Sequence, residues 1–193
     1  MRRFILYSPT AQTKVPIKDL KSSGRIDILL HSIISSLFTS NNFREDTILD
    51  IILGGPPNSP IHIKICYEEG NTISKKDLKK LIELSIRKCK DKNEVRVHPG
   101  VYTDKKNIED LVNEISELTT KIYFLDSYGK HIKQLSSSQL ENGVFILGDH
   151  EGFDKQKRKY LRKNVERLSL GETTYFTSQS ITIINYELDN LTN

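Results

Sequence analysis

Apolar positions along the chain alternate between short, almost continuous runs and longer stretches in which apolar residues recur three and four positions apart. Short apolar runs are typical of buried strands, whereas the longer spacing is typical of helices that bury one face. In chain order, the strand-like segments are RFILY, TILDIIL, HIKICY, VRV, KIYFLD, VFILGD and ERLSLG.

Most segments between these predicted strands have apolar residues at the three- and four-residue spacing of a helix. The first predicted helix has a broad apolar face formed by Ile26, Leu29, Leu30, Ile33, Leu37 and Phe38. Further helices are predicted from Ser74 onward, in NIEDLVNEISEL and in the basic segment 154–167. This alternation predicts an α/β fold with a mostly parallel sheet and helices on both faces. No repeat or linker divides the chain, so residues 1–193 are expected to form one domain.

The final segment, SITIINYELDNL, is rich in β-branched residues and would suit a strand on that ground. Its apolar residues nevertheless recur at helical spacing, at Ile181, Ile184, Leu188 and Leu191. We therefore predict a last helix from about Ser180, with Ser178 or Ser180 as its N-cap.

Positive charge is concentrated in two segments of the chain. The whole sequence carries 29 basic and 25 acidic residues, a net charge of +4. Residues 154–167 hold seven basic and two acidic side chains, residues 74–91 hold seven and three, and the remainder is net negative. Such clustering indicates a polyanionic partner, although lysine-rich helices are also common as solvated faces.

Several common catalytic motifs are absent from the sequence. It contains no GxxxxGK[ST], GxGxxG or GxSxG motif, and its five histidines lack metal-ligand spacing, so no metal is expected. Cys66 and Cys89 have no CxxC spacing and are expected to be reduced packing residues. The N-terminal MRRFILYSP is too short for a signal peptide or a membrane span, so we expect a cytoplasmic protein without a membrane partner.

Glycine-containing turns follow four of the predicted strands. These turns are LGGPP (53–57), FLDSYG (124–129), LGDHEG (147–152) and LSLGE (168–172). In open α/β sheets, ligands lie beyond the carboxyl ends of the strands, and glycine lets the backbone approach them closely. Each turn alone is explained as a plain turn, but together they are candidates for one ligand site.

Five segments resemble the archaeal tRNA pseudouridine-54 N1-methyltransferases of the SPOUT superfamily: GRIDILL, LGGPPNSP, YFLDSYGK, VFILGDHEGF and SLGETTYFTSQSITIINYELD. The resemblance covers essentially the whole chain and is most specific in residues 144–189. It implies a homodimer that methylates N1 of pseudouridine in the T-loop of tRNA, using S-adenosylmethionine. It also implies a C-terminal trefoil knot, with 121–193 as the cofactor-binding part.

The resemblance further implies that three turns hold S-adenosylmethionine, largely through backbone groups. The residues concerned are Leu125, Gly148, Asp149, Leu168, Ser169, Leu170, Gly171 and Ser180. Where many family members have a cysteine, in a pattern like SHCITI, this chain has Ser180 in SQSITI. Serine keeps a small hydrogen-bonding side chain but lacks the thiol, so we expect a non-covalent mechanism.

The same resemblance places the GRID segment in the substrate pocket, with Asp27 and Arg25 as candidate catalytic residues. Our hypothesis is that Asp27 accepts or orients the N1 proton while Arg25 holds a phosphate or a base carbonyl. The alternative is that Asp27 caps its helix and pairs with Arg25 on the surface. Asp149 is a reserve candidate for the base, although its position favours a turn role.

The basic segment 154–167 is expected to contact the tRNA backbone. The residues concerned are Lys155, Lys157, Arg158, Lys159, Arg162 and Lys163. Three alternatives remain open from the sequence. They are a related enzyme acting on ribosomal RNA or another tRNA position, an RNA-binding protein without catalysis, and a small-molecule-binding protein without an RNA partner.

Overall fold

The computed structural model describes residues 1–71 and 73–191, which form eight strands and six α-helices. The strands are β1 (Arg2–Ser8), β2 (Thr47–Leu53), β3 (Ile61–Ile65), β4 (Val95–His98), β5 (Val101–Asp104), β6 (Ile122–His131), β7 (Val144–Gly148) and β8 (Glu166–Ser169). The helices are α1 (Ile26–Leu37), α2 (Leu78–Lys88), α3 (Ile108–Ser116), α4 (Ser137–Leu140), α5 (Lys155–Asn164) and α6 (Thr177–Asp189). A short 3₁₀ helix, Ile132–Gln134, follows β6.

All eight strands form one sheet in the order β4-β5-β3-β2-β1-β7-β6-β8. Parallel pairing joins the five neighbouring strands β2, β1, β7, β6 and β8. The strands β3, β5 and β4 extend the sheet from β2 in antiparallel fashion. β1 lies inside the parallel part and is buried on both sides from Phe4 to Tyr7, which explains its nearly continuous apolar sequence.

Helices cover both faces of the sheet, as the alternating pattern predicted. On one face, α1, α2 and α6 pack over Phe4, Leu6 and the inward side chains of neighbouring strands. On the other face, α3 and α5 pack over Ile5, Tyr7 and Ile146. We call these the α1 face and the α5 face. The predicted α/β class with a mostly parallel sheet is confirmed.

β6 continues beyond Leu125 through a bulge at residues 126–129 and then pairs with β8 again in parallel. Leu168 of β8 is paired with Leu125 before this bulge and with Lys130 after it. At Gly129 a side chain is excluded, because a Cβ there would lie 2.5 Å from the backbone nitrogen of Leu168. The chain thus wraps closely around β8, while the trefoil knot itself stays a prediction.

Three features differ from the sequence-based expectations. The strand β5 (VYTD) escaped prediction because two of its four residues, Thr103 and Asp104, are polar although both are buried. A turn at Gly100, with φ of 76°, folds it back on β4. α2 begins at Leu78 rather than at Ser74. The last helix is confirmed, but the predicted serine N-cap is wrong: α6 begins at Thr177, so Ser178 and Ser180 lie inside it.

The N-terminus of α6 is held in another way. The Gln179 Oε1 atom accepts a hydrogen bond from the Phe176 amide at 3.0 Å, which satisfies one of the free N–H groups near the start of the helix. Farther along, α6 packs against α1, and the buried Asn185 donates to the Ser35 carbonyl at 3.0 Å. These contacts hold the start of α6 in place and fix the helix against α1.

Candidate ligand pocket at the carboxyl ends of the parallel strands

A cavity of about 350 Å³ opens where the first part of β6, up to Leu125, and the strands β7 and β8 end. Its walls come from residues 124–128, 147–149, 152–153 and 168–175, together with Arg158 and Arg162 of α5 and Thr177 and Ser180 of α6. All eight residues predicted to bind the cofactor line it: Leu125, Gly148, Asp149, Leu168, Ser169, Leu170, Gly171 and Ser180. The fourth glycine turn, LGGPP, does not line this cavity but packs beneath the loop that follows β1.

The turn after β7 is closely packed at Gly148. A Cβ atom there would lie 2.7 Å from the Cα atom of Gly152, so only glycine fits without a backbone shift. The Gly148 carbonyl accepts a hydrogen bond from Thr177 Oγ1 at 2.8 Å, which joins the turn to the start of α6. Two of the pocket walls are therefore fixed to each other.

Asp149 is buried in the same turn and shapes it through hydrogen bonds. Its Oδ2 accepts from Ser8 Oγ at 2.5 Å, and its Oδ1 accepts from the Glu151 amide at 2.9 Å. The Asp149 amide donates to the Tyr7 carbonyl at 3.0 Å. These contacts agree with the turn role considered for Asp149 and also link the pocket to the end of β1.

The turn after β8 leaves backbone groups facing the cavity. Gly171 has φ of 112°, a conformation that favours glycine, and its amide donates to Ser169 Oγ at 3.1 Å. Leu168 is fully buried, whereas Leu170 is only partly buried. The turn therefore offers both apolar surface and main-chain polar groups to a ligand.

Asp126 adds a buried carboxylate to the pocket lining. It accepts hydrogen bonds from the Tyr128 amide at 3.0 Å and from Arg162 Nε at 2.8 Å. Burial acts to raise the pKa of Asp126, but these hydrogen bonds outweigh it, so the pKa lies below its ordinary value. The carboxylate is therefore ionised at neutral pH and holds Arg162 against the pocket.

Arg25 and Asp27 form a two-point ion pair at the start of α1. The Arg25 Nε and Nη2 atoms lie 3.0 and 2.9 Å from the two Asp27 carboxylate oxygens. This pairing lowers the pKa of Asp27, with the hydrogen bond from Arg25 as its largest cause. The predicted first-turn position of Asp27 is confirmed, but its side chain makes no capping hydrogen bond, and Arg25 itself occupies the N-cap.

Neither residue of this pair lines the cavity, but Arg25 lies within the electrostatic influence of Asp149 at its rim. The pKa of Arg25 is raised mainly by its hydrogen bond with Asp27, and the Asp149 carboxylate contributes to the same shift. The preceding Gly24 packs directly on the Thr10 carbonyl, close to the end of β1. The ion pair thus lies beside the Asp149 side of the pocket.

The six basic residues predicted to bind RNA fall into two groups. Lys155, Lys159 and Lys163 are exposed, and no ion pair involves them among the described residues. Lys157 pairs with Asp154 at 3.0 Å, and Arg162 pairs with Asp126. Arg158 lines the cavity together with Arg162. α5 therefore supplies both an exposed basic surface and two guanidinium groups at the pocket.

Sequence reasoning missed several groups at this site. Asp126 and Tyr128 lie in a turn that was recognised, but only Leu125 was selected from it. Ser8 was missed because its link to Asp149 joins residues far apart in the chain. A polar residue at the end of an otherwise apolar strand was the one available indication of its role.

Within the part of the chain that the structure describes, no cluster of three or more histidine, cysteine, aspartate or glutamate side chains is arranged to hold a metal ion. Among the same residues, no helix has the length and apolar character needed to cross a membrane.

The chain is similar to archaeal tRNA (pseudouridine(54)-N(1))-methyltransferases. It is 31% identical over 206 residues to that of Thermococcus onnurineus (strain NA1), a match covering 100% of this chain and 98% of the relative. It is 32% identical over 203 residues to that of Methanocaldococcus jannaschii, covering 98% and 97% of the two chains.

Among solved structures, Archaeoglobus fulgidus Nep1 bound to S-adenosylhomocysteine superimposes with a TM-score of 0.64. The sequences are 11% identical, with 97% of each chain covered, so this likeness shows the fold alone. The sequence model of a family described as SAM-dependent RNA methyltransferases matches residues 1–192. These matches confirm the resemblance seen in the sequence: the chain belongs to this family of SAM-dependent RNA methyltransferases.

Proposed function

We propose that this protein transfers a methyl group from S-adenosylmethionine to N1 of pseudouridine 54 in tRNA. The observation that carries the proposal is the shared cavity in which the turns after β6, β7 and β8 meet. It is supported by full-length similarity to relatives that bear the name of this activity. Residues 121–193 are the cofactor-binding part in this proposal.

The pocket suits the proposed cofactor on three grounds. Its volume of about 350 Å³ falls in the range of small-molecule sites. Gly148 lines the cavity at a position where a side chain would collide with backbone, so the turn stays tight and its main chain reaches the cavity. Partly buried Leu170 and the edges of Leu125 and Leu147 give apolar surface, while Ser169, Thr177 and Ser180 give hydrogen-bonding groups.

The chemistry requires a methyl donor, an oriented nucleophile and a proton acceptor. Bound S-adenosylmethionine supplies an electrophilic methyl group. Asp27 is ionised because Arg25 lowers its pKa, and each carboxylate oxygen keeps a lone pair to accept the N1 proton of the base. Arg25 orients that carboxylate and presents its exposed edge to a base carbonyl or phosphate. The Asp149 side chain is 1% exposed and the Asp27 side chain is 19% exposed, so Asp27 is the more accessible proton acceptor.

The tRNA partner is assigned to the exposed side of α5. Lys155, Lys159 and Lys163 are suited to phosphate contacts, because none of them is held by an ion pair among the described residues. Arg158 and Arg162 lie nearer the target base, at the pocket rim. A cytoplasmic location belongs to the same proposal, since tRNA is the substrate.

A homodimer is the third part of the proposal. An apolar groove of about 320 Å³ lies between α1 and α6 and is lined by Ser35, Tyr175, Ser178, Gln179, Thr182 and Ile183. Next to it, Phe176 is 77% exposed and Tyr186 is 66% exposed. Large exposed aromatic side chains beside an apolar groove are typical of surfaces that bind another protein.

The direct test is mass spectrometry of tRNA fragments after incubation with labelled S-adenosylmethionine. Parallel substrates carry either uridine or pseudouridine at position 54. The proposal predicts one methyl group, only on the substrate with pseudouridine. Methylation at a different nucleotide, or in ribosomal RNA instead, would favour the related enzyme. Tight RNA binding without any methyl transfer would favour the non-catalytic alternative.

A further inference from the structure

We propose that the loop between β1 and α1, residues 9–25, is a second surface that binds the tRNA backbone. This inference rests on the proposed function. It adds a binding surface on the face of the sheet opposite α5. The loop holds four basic residues and one acidic residue: Lys14, Lys18, Lys21, Arg25 and Asp19. Its three lysines are called the loop lysines below.

The loop has a fixed conformation although it contains no regular secondary structure. Ala11, Thr13 and Ile17 are 0–2% exposed, so buried side chains anchor it to the protein. Thr13 Oγ1 donates to the Gly55 carbonyl at 3.0 Å, and the Gly55 amide donates to the Ala11 carbonyl at 3.0 Å. The turn LGGPP, which plays no part in the pocket lining, therefore serves as the platform for this loop.

The anchoring directs the loop lysines outward. Lys14, Lys18 and Lys21 are all exposed, and among the described residues none has an acidic side chain within 4.0 Å. Glu83, the acidic residue that contacts the loop, accepts from the Ile17 amide at 2.8 Å instead of pairing with a lysine. Because the backbone that carries these lysines is already ordered, a contact with phosphate has to order the side chains only.

The loop begins at the wall of the pocket. Ser8 joins the two, because its hydroxyl donates to Asp149 and accepts from the Ala11 amide at 3.2 Å. The apolar residues of the loop belong to the α1 face, whereas α5 belongs to the α5 face. The loop lysines and the α5 lysines therefore flank the carboxyl edge of the sheet from opposite faces, with the pocket opening at that edge.

This arrangement suits an RNA whose target nucleotide enters the pocket. The RNA chain continues in both directions from that nucleotide, so phosphates leave the pocket on both sides. A single basic surface at α5 would neutralise the phosphates on one side only. The loop lysines supply positive charge on the other side, where each ammonium group is an effective phosphate contact.

The test compares the salt dependence of tRNA binding in two triple variants. One variant carries Lys14→Gln, Lys18→Gln and Lys21→Gln. The control carries Lys75→Gln, Lys76→Gln and Lys80→Gln, three exposed lysines near the N-terminus of α2. The control lies away from the pocket, since Lys75 packs on Phe38 at the end of α1. Fluorescence anisotropy with pseudouridine-containing tRNA measures the dissociation constant at several salt concentrations.

Loss of three phosphate contacts should weaken binding by at least about tenfold at physiological salt and reduce the slope of log K against log salt by about 2 to 3. The control should retain both values. The loop variant should also keep wild-type affinity for S-adenosylhomocysteine, and its methyl transfer should recover at saturating tRNA, because only backbone binding is changed.

Three results would overturn the inference. If the loop variant binds tRNA with the wild-type affinity and slope, while the wild-type protein methylates that tRNA, the surface assignment fails and the proposed function stands. If the wild-type protein neither binds nor methylates tRNA, both fail together. An equal loss of tRNA binding in the α2 control would show general charge attraction rather than a defined surface, and would also overturn the inference.

Discussion

His62 lies between two buried carboxylates in the antiparallel part of the sheet. Its Nε2 atom is 2.8 Å from Asp50 Oδ1, and its Nδ1 atom is 3.0 Å from Asp104 Oδ1. Arg3 pairs with Asp50, and Lys106 pairs with both Asp104 and Glu114. Because ionised carboxylates only accept hydrogen bonds, both ring nitrogens donate and His62 is positively charged.

This cluster predicts that stability depends on pH in two directions. Burial acts to lower the pKa of His62, but the hydrogen bonds to Asp104 and Asp50 outweigh burial and raise the pKa. The contribution of His62 to the free energy of unfolding is therefore complete below about pH 6.5, and it declines as pH rises through the pKa that His62 has in the folded protein. Burial opposes ionisation of Asp50, but His62 and Arg3 lower its pKa to about 2. The contribution of Asp50 to the free energy of unfolding is therefore present above pH 3.8 and declines as pH falls towards 2. Urea midpoints measured from about pH 3 to about pH 9 should pass through a maximum.

The test variant is His62→Gln. Its control is His31→Gln, which makes the same change at an exposed histidine. His62→Gln should lose about 3–5 kcal/mol, because it removes the buried cation that Asp50 and Asp104 share, and its alkaline decline should flatten. His31→Gln should behave as wild type. An unchanged pH profile in His62→Gln would disprove the charged histidine.

Asp27→Asn tests the proton acceptor. The amide still accepts one hydrogen bond from Arg25 but takes no proton, so kcat for methyl transfer should fall about 10²–10⁴-fold. Affinity for S-adenosylhomocysteine, measured by calorimetry, should be retained because Asp27 does not line the cavity. Asp91→Asn, at an exposed position, is the control. Undiminished transfer in Asp27→Asn would remove the assignment.

Gly148→Ala tests the tight turn in the pocket wall. The added methyl would meet the Cα atom of Gly152 at 2.7 Å, so the backbone must shift and cofactor affinity should fall at least about tenfold. Gly70→Ala is the control, since Gly70 has φ of 82° but no atom within 4 Å of the position that an added methyl would take. That variant carries backbone strain of about 1–2 kcal/mol and should keep its cofactor affinity. Equal titration curves for both variants would contradict the turn's role.

The helix α6 depends on polar contacts that join distant parts of the chain. Arg2 Nη1 donates to Asn185 Oδ1 at 3.0 Å and to Asp189 Oδ1 at 2.7 Å, and Arg44 binds the same aspartate. Asn185 is 2% exposed and also reaches α1 through the Ser35 carbonyl. Since Thr177 and Ser180 of α6 also line the pocket, the position of α6 affects the proposed cofactor site.

Asn185→Ala should therefore destabilise the protein by about 1–3 kcal/mol, because it leaves buried polar groups unpaired. Cofactor affinity should fall with it, as the anchoring of α6 weakens. Asn190→Ala, an exposed position at the end of the same helix, should change stability by less than about 0.5 kcal/mol. Urea denaturation and calorimetry measure the two effects, and equal stability of both variants would refute this account of α6.

Periodicity predicted the type of most elements but not how they are placed. The apolar faces of α1 and α6 were readable because their residues recur locally, whereas β5 has only four residues and depends on pairing with β3. The cofactor residues came from resemblance, since spacing gave only turns. The Ser8 link to Asp149 and the pairing of Arg162 with Asp126 join residues 141 and 36 positions apart, which no local pattern records.

The homodimer proposal predicts a particular effect of charge on the α6 surface. Tyr186→Asp places a carboxylate beside the apolar groove and should convert the dimer to monomer in sedimentation equilibrium, because an unpaired charge in an interface is costly. Tyr67→Asp changes another exposed tyrosine, 44% exposed and outside α6, and should leave the dimer intact. A wild-type protein that sediments as a monomer would exclude the proposed assembly.

The enclosure of Leu168 between Leu125 and Lys130 has a consequence for protein synthesis. The ribosome makes the chain from its N-terminus, so residues 168–180 emerge after every other part of the pocket wall. A nascent chain that has only reached β7 holds most of the sheet but lacks the turn at Gly171 and the helix that carries Ser180. The proposed cofactor pocket is therefore complete only in molecules whose translation has passed this point.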